Sequence, residues 1–323
     1  MTLLGHGVDA ARMRQLGVVE TPLLPLDRIA PEGRRIYAKA EWHQPTGSVK
    51  DRVAAAMVAA AESAGRLDSP TDLIEPSSGN TGIALARIAR LTGHRLTVLV
   101  PDNVSQERLD LLAAFGASIE FTPGVEGSNG AVRRAERRAG ETGETLLHQY
   151  DNLANPGAHE VTTGPEIEWQ LEEMGVDRLD AFVAALGTGG TVTGVARALR
   201  RSFPGLAVVA AEPPAGETIA GLRSMADGYI PPVFDPAAID GRVLVRTGPA
   251  IVMMRRLLDE EGLFVGPSGG AAVHAAVRRA EALPEGSVVV TLLPDAGWKY
   301  LSTGVYSGTV AEAEQAVEGV TLW

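Results

Sequence analysis

The 323-residue chain contains no cysteine. That absence excludes a disulfide framework, a zinc-thiolate site, an iron-sulfur cluster and a thiol nucleophile, and it fits a reducing, cytoplasmic compartment. Basic residues are scarce too: 29 Lys+Arg stand against 40 Asp+Glu, a formal net charge of -11. Binding to nucleic acid or an anionic membrane needs Lys and Arg to neutralise phosphate, so neither partner is expected, and any anionic ligand needs a local basic site. No apolar run approaches membrane-spanning length. The start, from Met1 to Gln15, carries Asp9 and only Leu3 and Leu4 as an apolar patch, so it does not read as a signal peptide. His43, His159 and His274 show neither metal-ligand spacing nor an H-E-x-x-H pattern, so no metal site is expected.

What is present is an apolar fraction of 45% on a chain long enough for about two domains, each able to bury a core without staples. Short apolar runs at 73–75, 96–100, 118–121, 181–186, 207–211 and 288–293 alternate with helical patterns such as Val53, Met57, Ala60, Ala64. Runs that are apolar on both faces fit parallel strands covered by helices, so the expected class is α/β with two open, mostly parallel sheets. The polar stretch 149–157 is the best hinge. The irregular stretch 213–242, with five prolines, is too long for a mere connection and reads as a functional loop.

Four segments can carry chemistry. Residues 45–52, Pro-Thr-Gly-Ser-Val-Lys-Asp-Arg, run from a turn into a helix. Ser48 and Asp51 form a capping-box pattern, which by itself makes Lys50 an ordinary first-turn residue. A lysine there nevertheless faces the positive end of the helix dipole, which favours a neutral, nucleophilic amine suited to Schiff-base chemistry. Residues 76–82, Pro-Ser-Ser-Gly-Asn-Thr-Gly, follow a strand and open a helix. They serve either as a simple N-cap with a tight turn or as a cradle of backbone N–H groups and hydroxyls for a carboxylate. Gly187, Thr188, Gly189, Gly190 and Thr191 begin a loop rich in Gly and Thr between a strand and a helix, a phosphate nest without a Walker A lysine. A dinucleotide reading stays open, because Glu212 ends the next strand at the distance of a ribose-binding acid, although Val192 stands where the third glycine belongs. Residues 266–270, Gly-Pro-Ser-Gly-Gly, read in isolation as a Gly-rich turn with a Ser cap.

Taken together these segments, with Thr21-Pro22-Leu23, residues 162–166 and Pro294-Asp295, resemble the pyridoxal-phosphate-dependent cysteine synthase family, over nearly the whole chain. The resemblance implies a fold-type II enzyme with its active site between two domains. The larger domain, 1–44 with 153–323, would bind the cofactor phosphate, and the smaller, 45–152, the substrate. It implies pyridoxal 5'-phosphate linked to Lys50, its phosphate held by Gly187 through Thr191, its pyridine nitrogen met by Ser268 and its phenolic oxygen faced by Asn80. Ser77, Ser78, Asn80 and Thr81, assisted by Gln149, would hold the carboxylate of an amino-acid substrate. The implied reaction is β-replacement through an aminoacrylate. Gln44, Ser77, Pro267 and Gly269 depart from the usual motifs.

The stretch Leu222-Arg223-Ser224-Met225 and the ending from Asp295 to Gly304 resemble the O-phosphoserine-dependent branch, in which an arginine at position 223 meets the substrate phosphate. Acetylserine-dependent cysteine formation and the making of cystathionine or diaminopropionate use the same core residues and remain alternatives, as do a Rossmann-type dinucleotide binder and a non-catalytic regulatory partner. A small thiocarboxylate-bearing carrier protein is one candidate sulfur donor, and a homodimer is expected from the resemblance. The tail 319–323 is expected to reach the active-site entrance, since its apolar Leu322-Trp323 ending carries a carboxylate resembling that of the substrate.

Overall fold

A computed structural model of the chain describes residues 7–77 and 79–317. Ser78, the first six residues and the tail proposed to reach the entrance lie outside the described residues. In chain order the elements are α1 (Ala10–Gln15), β1 (Leu23–Pro25), β2 (Arg35–Ala40), α2 (Lys50–Ser63), β3 (Asp72–Pro76), α3 (Asn80–Thr92), β4 (Arg95–Pro101), α4 (Gln106–Ala114), β5 (Ser118–Thr122), α5 (Gly127–Thr142), β6 (Thr145–Leu146) and α6 (Ala154–Ala158). There follow α7 (Gly164–Glu173), β7 (Ala181–Ala185), α8 (Gly190–Ser202), β8 (Ala207–Glu212), β9 (Gly241–Leu244), α9 (Thr247–Glu261), α10 (Pro267–Glu281), β10 (Val288–Leu293) and α11 (Val310–Val317).

The strands form two sheets, ordered β1-β2-β10-β7-β8-β9 and β5-β4-β3-β6. Every pairing is parallel except β1 with β2. The apolar runs explain this. In β7, Ala181 and Val183 join the core under α9 and α10, while Phe182 and Ala184 join the core under α7 and α8, so a strand buried on both faces is apolar throughout. In the smaller sheet, Leu73 and Val98 pack with α2 and α3, and Ile74 and Leu99 with Ala131 and Ala135 of α5. All four strands of that sheet fall between residues 72 and 146, and its core also takes Met13, Leu16 and Val18 from before residue 45 and Ala154 and Ala158 from beyond 152.

The expected strands are all present. The short β1, β6 and β9 were not foreseen, because two to four residues carry too little periodicity. The Ser48–Asp51 capping box does not form. Val49 occupies the N-cap position, and the Asp51 carboxylate instead accepts hydrogen bonds from Thr46 N at 3.2 Å and Thr46 Oγ1 at 2.7 Å, closing the turn before α2.

Candidate active site

In both sheets the loops leaving the carboxyl ends of the strands converge, as expected of open α/β sheets. β3 leads into Ser77 and Asn80, β7 into Gly187 through Thr191, and β10 into Pro294 and Asp295; together they line a cleft open to solvent. Lys50, Ser77, Asn80, Thr81, Gln149, Gly187, Thr188, Gly189, Thr191, Arg223 and Ser268 all line it. Of the remaining residues expected there, Gly190 sits just behind the wall as the first residue of α8, and Ser78 lies outside the described residues.

Lys50 is the first residue of α2, half-buried with its side chain toward the cleft. Its amine is held below the usual lysine value chiefly by withdrawal from water, partly offset by the Asp295 carboxylate. Burial thus favours the neutral form of the amine, and as the first residue of α2 Lys50 also stands at the positive end of the helix dipole, the position expected from sequence. The other two lysines are occupied: Lys39 Nζ bonds Thr21 O, Gln170 Oε1 and Glu166, and Lys299 Nζ bonds Asn80 Oδ1. Among the described residues, Lys50 Nζ makes no hydrogen bond.

The Gly/Thr loop is too tightly packed for side chains. A Cβ on Gly187 would lie 2.7 Å from Gly221 O, and one on Gly190 2.0 Å from Asn155 Oδ1; Gly189 has φ +83° and faces Phe234. First-turn N–H groups of α8 have no partner within the helix, so the loop presents backbone donors and the Thr188 and Thr191 hydroxyls to an anion. No Lys or Arg belongs to the loop. The pyridoxal phosphate group fits this arrangement: a donor cradle for its phosphate, a lysine amine with lowered proton affinity for its aldehyde, and the Ser268 hydroxyl at the start of α10 for its ring nitrogen.

Two residues behind the loop were not anticipated. Asn155 Nδ2 donates to Thr188 Oγ1 at 3.0 Å and to Gln149 O at 2.8 Å, tying the Gly/Thr loop to the backbone of Gln149 on the facing wall. His159, read from sequence as ordinary, contacts Thr191 Oγ1 at 3.2 Å and Thr163 Oγ1 at 2.9 Å; burial, reinforced by Arg52 and Lys50, keeps its imidazole well below the usual value and so neutral. No spacing signal could have revealed either, since their roles depend on α6 and the helical turn 159–163 that follows it packing against α8.

On the opposite wall, Ser77 Oγ accepts from Gly79 N at 3.3 Å and Gly82 N at 3.0 Å, so it folds the turn that opens α3. Thr81 Oγ1 donates to Gln149 Oε1 at 2.7 Å. Gln149 is fixed from behind by Glu75, whose carboxylate accepts from His148 N at 2.8 Å and Gln149 N at 3.0 Å; burial pushes this carboxyl up to about 7. Arg223 enters from the 213–242 loop, its guanidinium 4.7 Å from the Tyr150 ring and 5.3 Å from the Tyr229 ring, with Nη1 3.4 Å from Asn129 Oδ1. Asp227, four residues further on, accepts from Gly216 N. Arg108 and Tyr300 also line the cleft and were not among the site residues expected from sequence.

The dinucleotide alternative fails on Glu212. Its buried carboxylate accepts from Met225 N at 2.7 Å and Arg242 Nη1 at 2.8 Å, so it anchors the 213–242 loop and has no free face for a ribose. Among the described residues there is no group of three or more acidic or histidine side chains able to hold a metal, and no helix is long and apolar enough to cross a membrane.

Comparison with known proteins agrees with this geometry. The chain is 40% identical over 295 residues to a cysteine synthase of Staphylococcus aureus, covering 89% of this chain and 94% of that one. It is 41% identical over 297 residues to a probable cysteine synthase of Bacillus subtilis, covering 89% and 95%. Among solved structures, O-ureido-L-serine synthase superposes with a TM-score of 0.85 at 39% identity, over 92% of this chain and 95% of that one. Cysteine synthase from Entamoeba histolytica superposes with a TM-score of 0.83 at 31% identity, over 96% of both. The sequence pattern of pyridoxal-phosphate dependent enzymes matches residues 14–295, and the chain belongs to that family as a cysteine synthase-like, fold-type II β-replacement enzyme that uses pyridoxal phosphate.

Proposed function

We propose that this enzyme makes L-cysteine from O-phospho-L-serine and a sulfur donor. The observation that carries this reading is Arg223, held at the cleft wall between two tyrosine rings. In a protein of net charge -11 a phosphorylated substrate needs a local cation, and a guanidinium offers phosphate two parallel, charge-assisted hydrogen bonds while staying ionised. The flanking rings limit its rotamers, so little side-chain entropy is left to lose on binding.

When bound, the cofactor supplies an aldehyde and an electron-withdrawing ring that acidifies the substrate's α-carbon. Lys50 would hold the aldehyde and, once freed as an amine whose proton affinity burial lowers, would take the α-proton. The backbone donors of 187–191 hold the phosphate, Asn80 the ring oxygen and Ser268 the ring nitrogen. Ser77, Ser78, Asn80 and Thr81, with Gln149 braced by Glu75, hold the substrate carboxylate. Residues 45–152 act as the substrate-binding unit and the rest as the cofactor-phosphate unit. A homodimer, a cytoplasmic location, and sulfide or a small thiocarboxylate-bearing carrier protein as sulfur source accompany this reading.

The test compares Arg223→Ala with wild type on two substrates. For O-phosphoserine the loss of a charged hydrogen bond predicts a fall in kcat/KM of about 2 kcal/mol, roughly 30-fold. For O-acetylserine it predicts little change. Equal losses, or none, would return the enzyme to acetylserine or another activated serine, and product analysis would separate L-cysteine from O-ureido-L-serine, cystathionine and diaminopropionate.

A further inference from the structure

The segment that follows β10 places a second lysine beneath the cleft, and the reaction as proposed does not use it. Lys299 is fully buried, and its Nζ donates to Asn80 Oδ1 at 2.6 Å. Asn80 Nδ2 in turn donates to Asp295 Oδ2 at 2.7 Å, an oxygen that also accepts from Tyr300 OH at 2.6 Å. An ammonium has only donors, so the amide oxygen must face it; this fixes which end of Asn80 is NH2. One Nδ2 hydrogen is taken by Asp295. Among the described residues nothing takes the second, which is left for whatever occupies the cleft that Asn80 lines.

We propose that Lys299 is a positioning residue: it locks and polarises the Asn80 amide so that its remaining N–H meets the cofactor's ring oxygen and keeps that oxygen ionised. The inference rests on the reading that Asn80 faces this oxygen. A cation on the amide oxygen strengthens the N–H as a donor, an effect that low local polarity preserves. Asp295 and Tyr300 belong to the same network, and the groups facing Lys299 from other elements are Asp51 of α2 and Arg108 of α4, with the Trp298 ring 5.2 Å away. Burial lowers the Lys299 amine to about 8, against the pull of Asp295 and Asp51. The lock therefore weakens as the pH rises through that value.

The test reads the absorbance of the holoenzyme. An ionised ring oxygen gives the long-wavelength cofactor band and a protonated one the short-wavelength band. Lys299→Met is expected to raise the short-to-long ratio about fivefold, the equilibrium shift of one hydrogen bond, and to lack the inflection near pH 8 expected of the wild type. Lys299→Arg, which keeps the charge and covers the case in which the methionine variant folds poorly, is expected to retain the wild-type bands. Asn80→Ala separates the two layers of the argument. If Asn80→Ala shifts the bands and Lys299→Met does not, the positioning role is wrong and the placement of Asn80 stands. If neither shifts them, Asn80 does not face the ring oxygen and both fall.

Discussion

Replacing Glu166 with glutamine removes one of two carboxylates from a buried cluster of four charges. Arg52 and Lys39 have no exposed side-chain surface; Arg52 pairs with Glu41 at 2.7 Å and Glu166 at 2.6 Å, and Lys39 with Glu166 at 2.8 Å. The variant leaves two cations facing Glu41 alone. Breaking a buried pair costs about 3 to 5 kcal/mol, and retained amide hydrogen bonds place this case near 3, a large part of a stability of about 5 to 15. The loss has a ceiling, because Lys39 can shed its proton. Burial already lowers its amine and Glu166 is the strongest group opposing that, so without Glu166 the native value falls further below the unfolded one of about 10.4. The unfolded state then binds more protons, and stability rises with pH by up to about 1.4 kcal/mol per unit. Urea unfolding at pH 7 and pH 9 checks this: the deficit should shrink by about 1 kcal/mol or more. Lys39→Met added to Glu166→Gln removes one charge of each sign and should recover about 2 kcal/mol. A loss below about 1 kcal/mol with no pH slope would refute the argument that this cluster is paired in low polarity.

Borohydride reduction of the holoenzyme should place the pyridoxyl adduct on Lys50 by peptide mass spectrometry; an adduct on Lys39 or Lys299 would move the attachment site. Lys50→Ala should keep the fold, by circular dichroism, and lose turnover by orders of magnitude. Gly190→Ala should weaken cofactor retention on dialysis by about tenfold, roughly one hydrogen bond, because its Cβ displaces the Asn155 amide that holds Thr188. Glu75, with its native carboxyl raised to about 7 against about 4.3 unfolded, binds its proton more readily in the folded state, so its contribution is full below about pH 4 and is lost as pH rises through 7. Wild type should therefore lose up to about 3 kcal/mol relative to Glu75→Gln between pH 4.5 and 8, and parallel stability curves would count against a buried, desolvated carboxyl.

Much of this protein was fixed locally. Strands apolar on both faces, such as 181–185 and 288–293, leave little choice but a parallel sheet with helices on each side, since no other arrangement covers both faces. The glycine positions of 187–190 and the lysine opening α2 were legible as a candidate phosphate loop and a candidate amine because each needs only the turn that leads into its own helix. Tertiary structure decided the rest. The pairing of Asp51 with Thr46 in place of Ser48, the use of Glu212 as a loop anchor, and the bracing of Gln149 by Glu75 depend on partners that local pattern does not rank. Lys299 and Asn80 lie 219 positions apart. That Lys39 and Lys299 are hydrogen-bonded while Lys50 is not could be read only from the fold, because the groups packed around an amine come from distant parts of the chain.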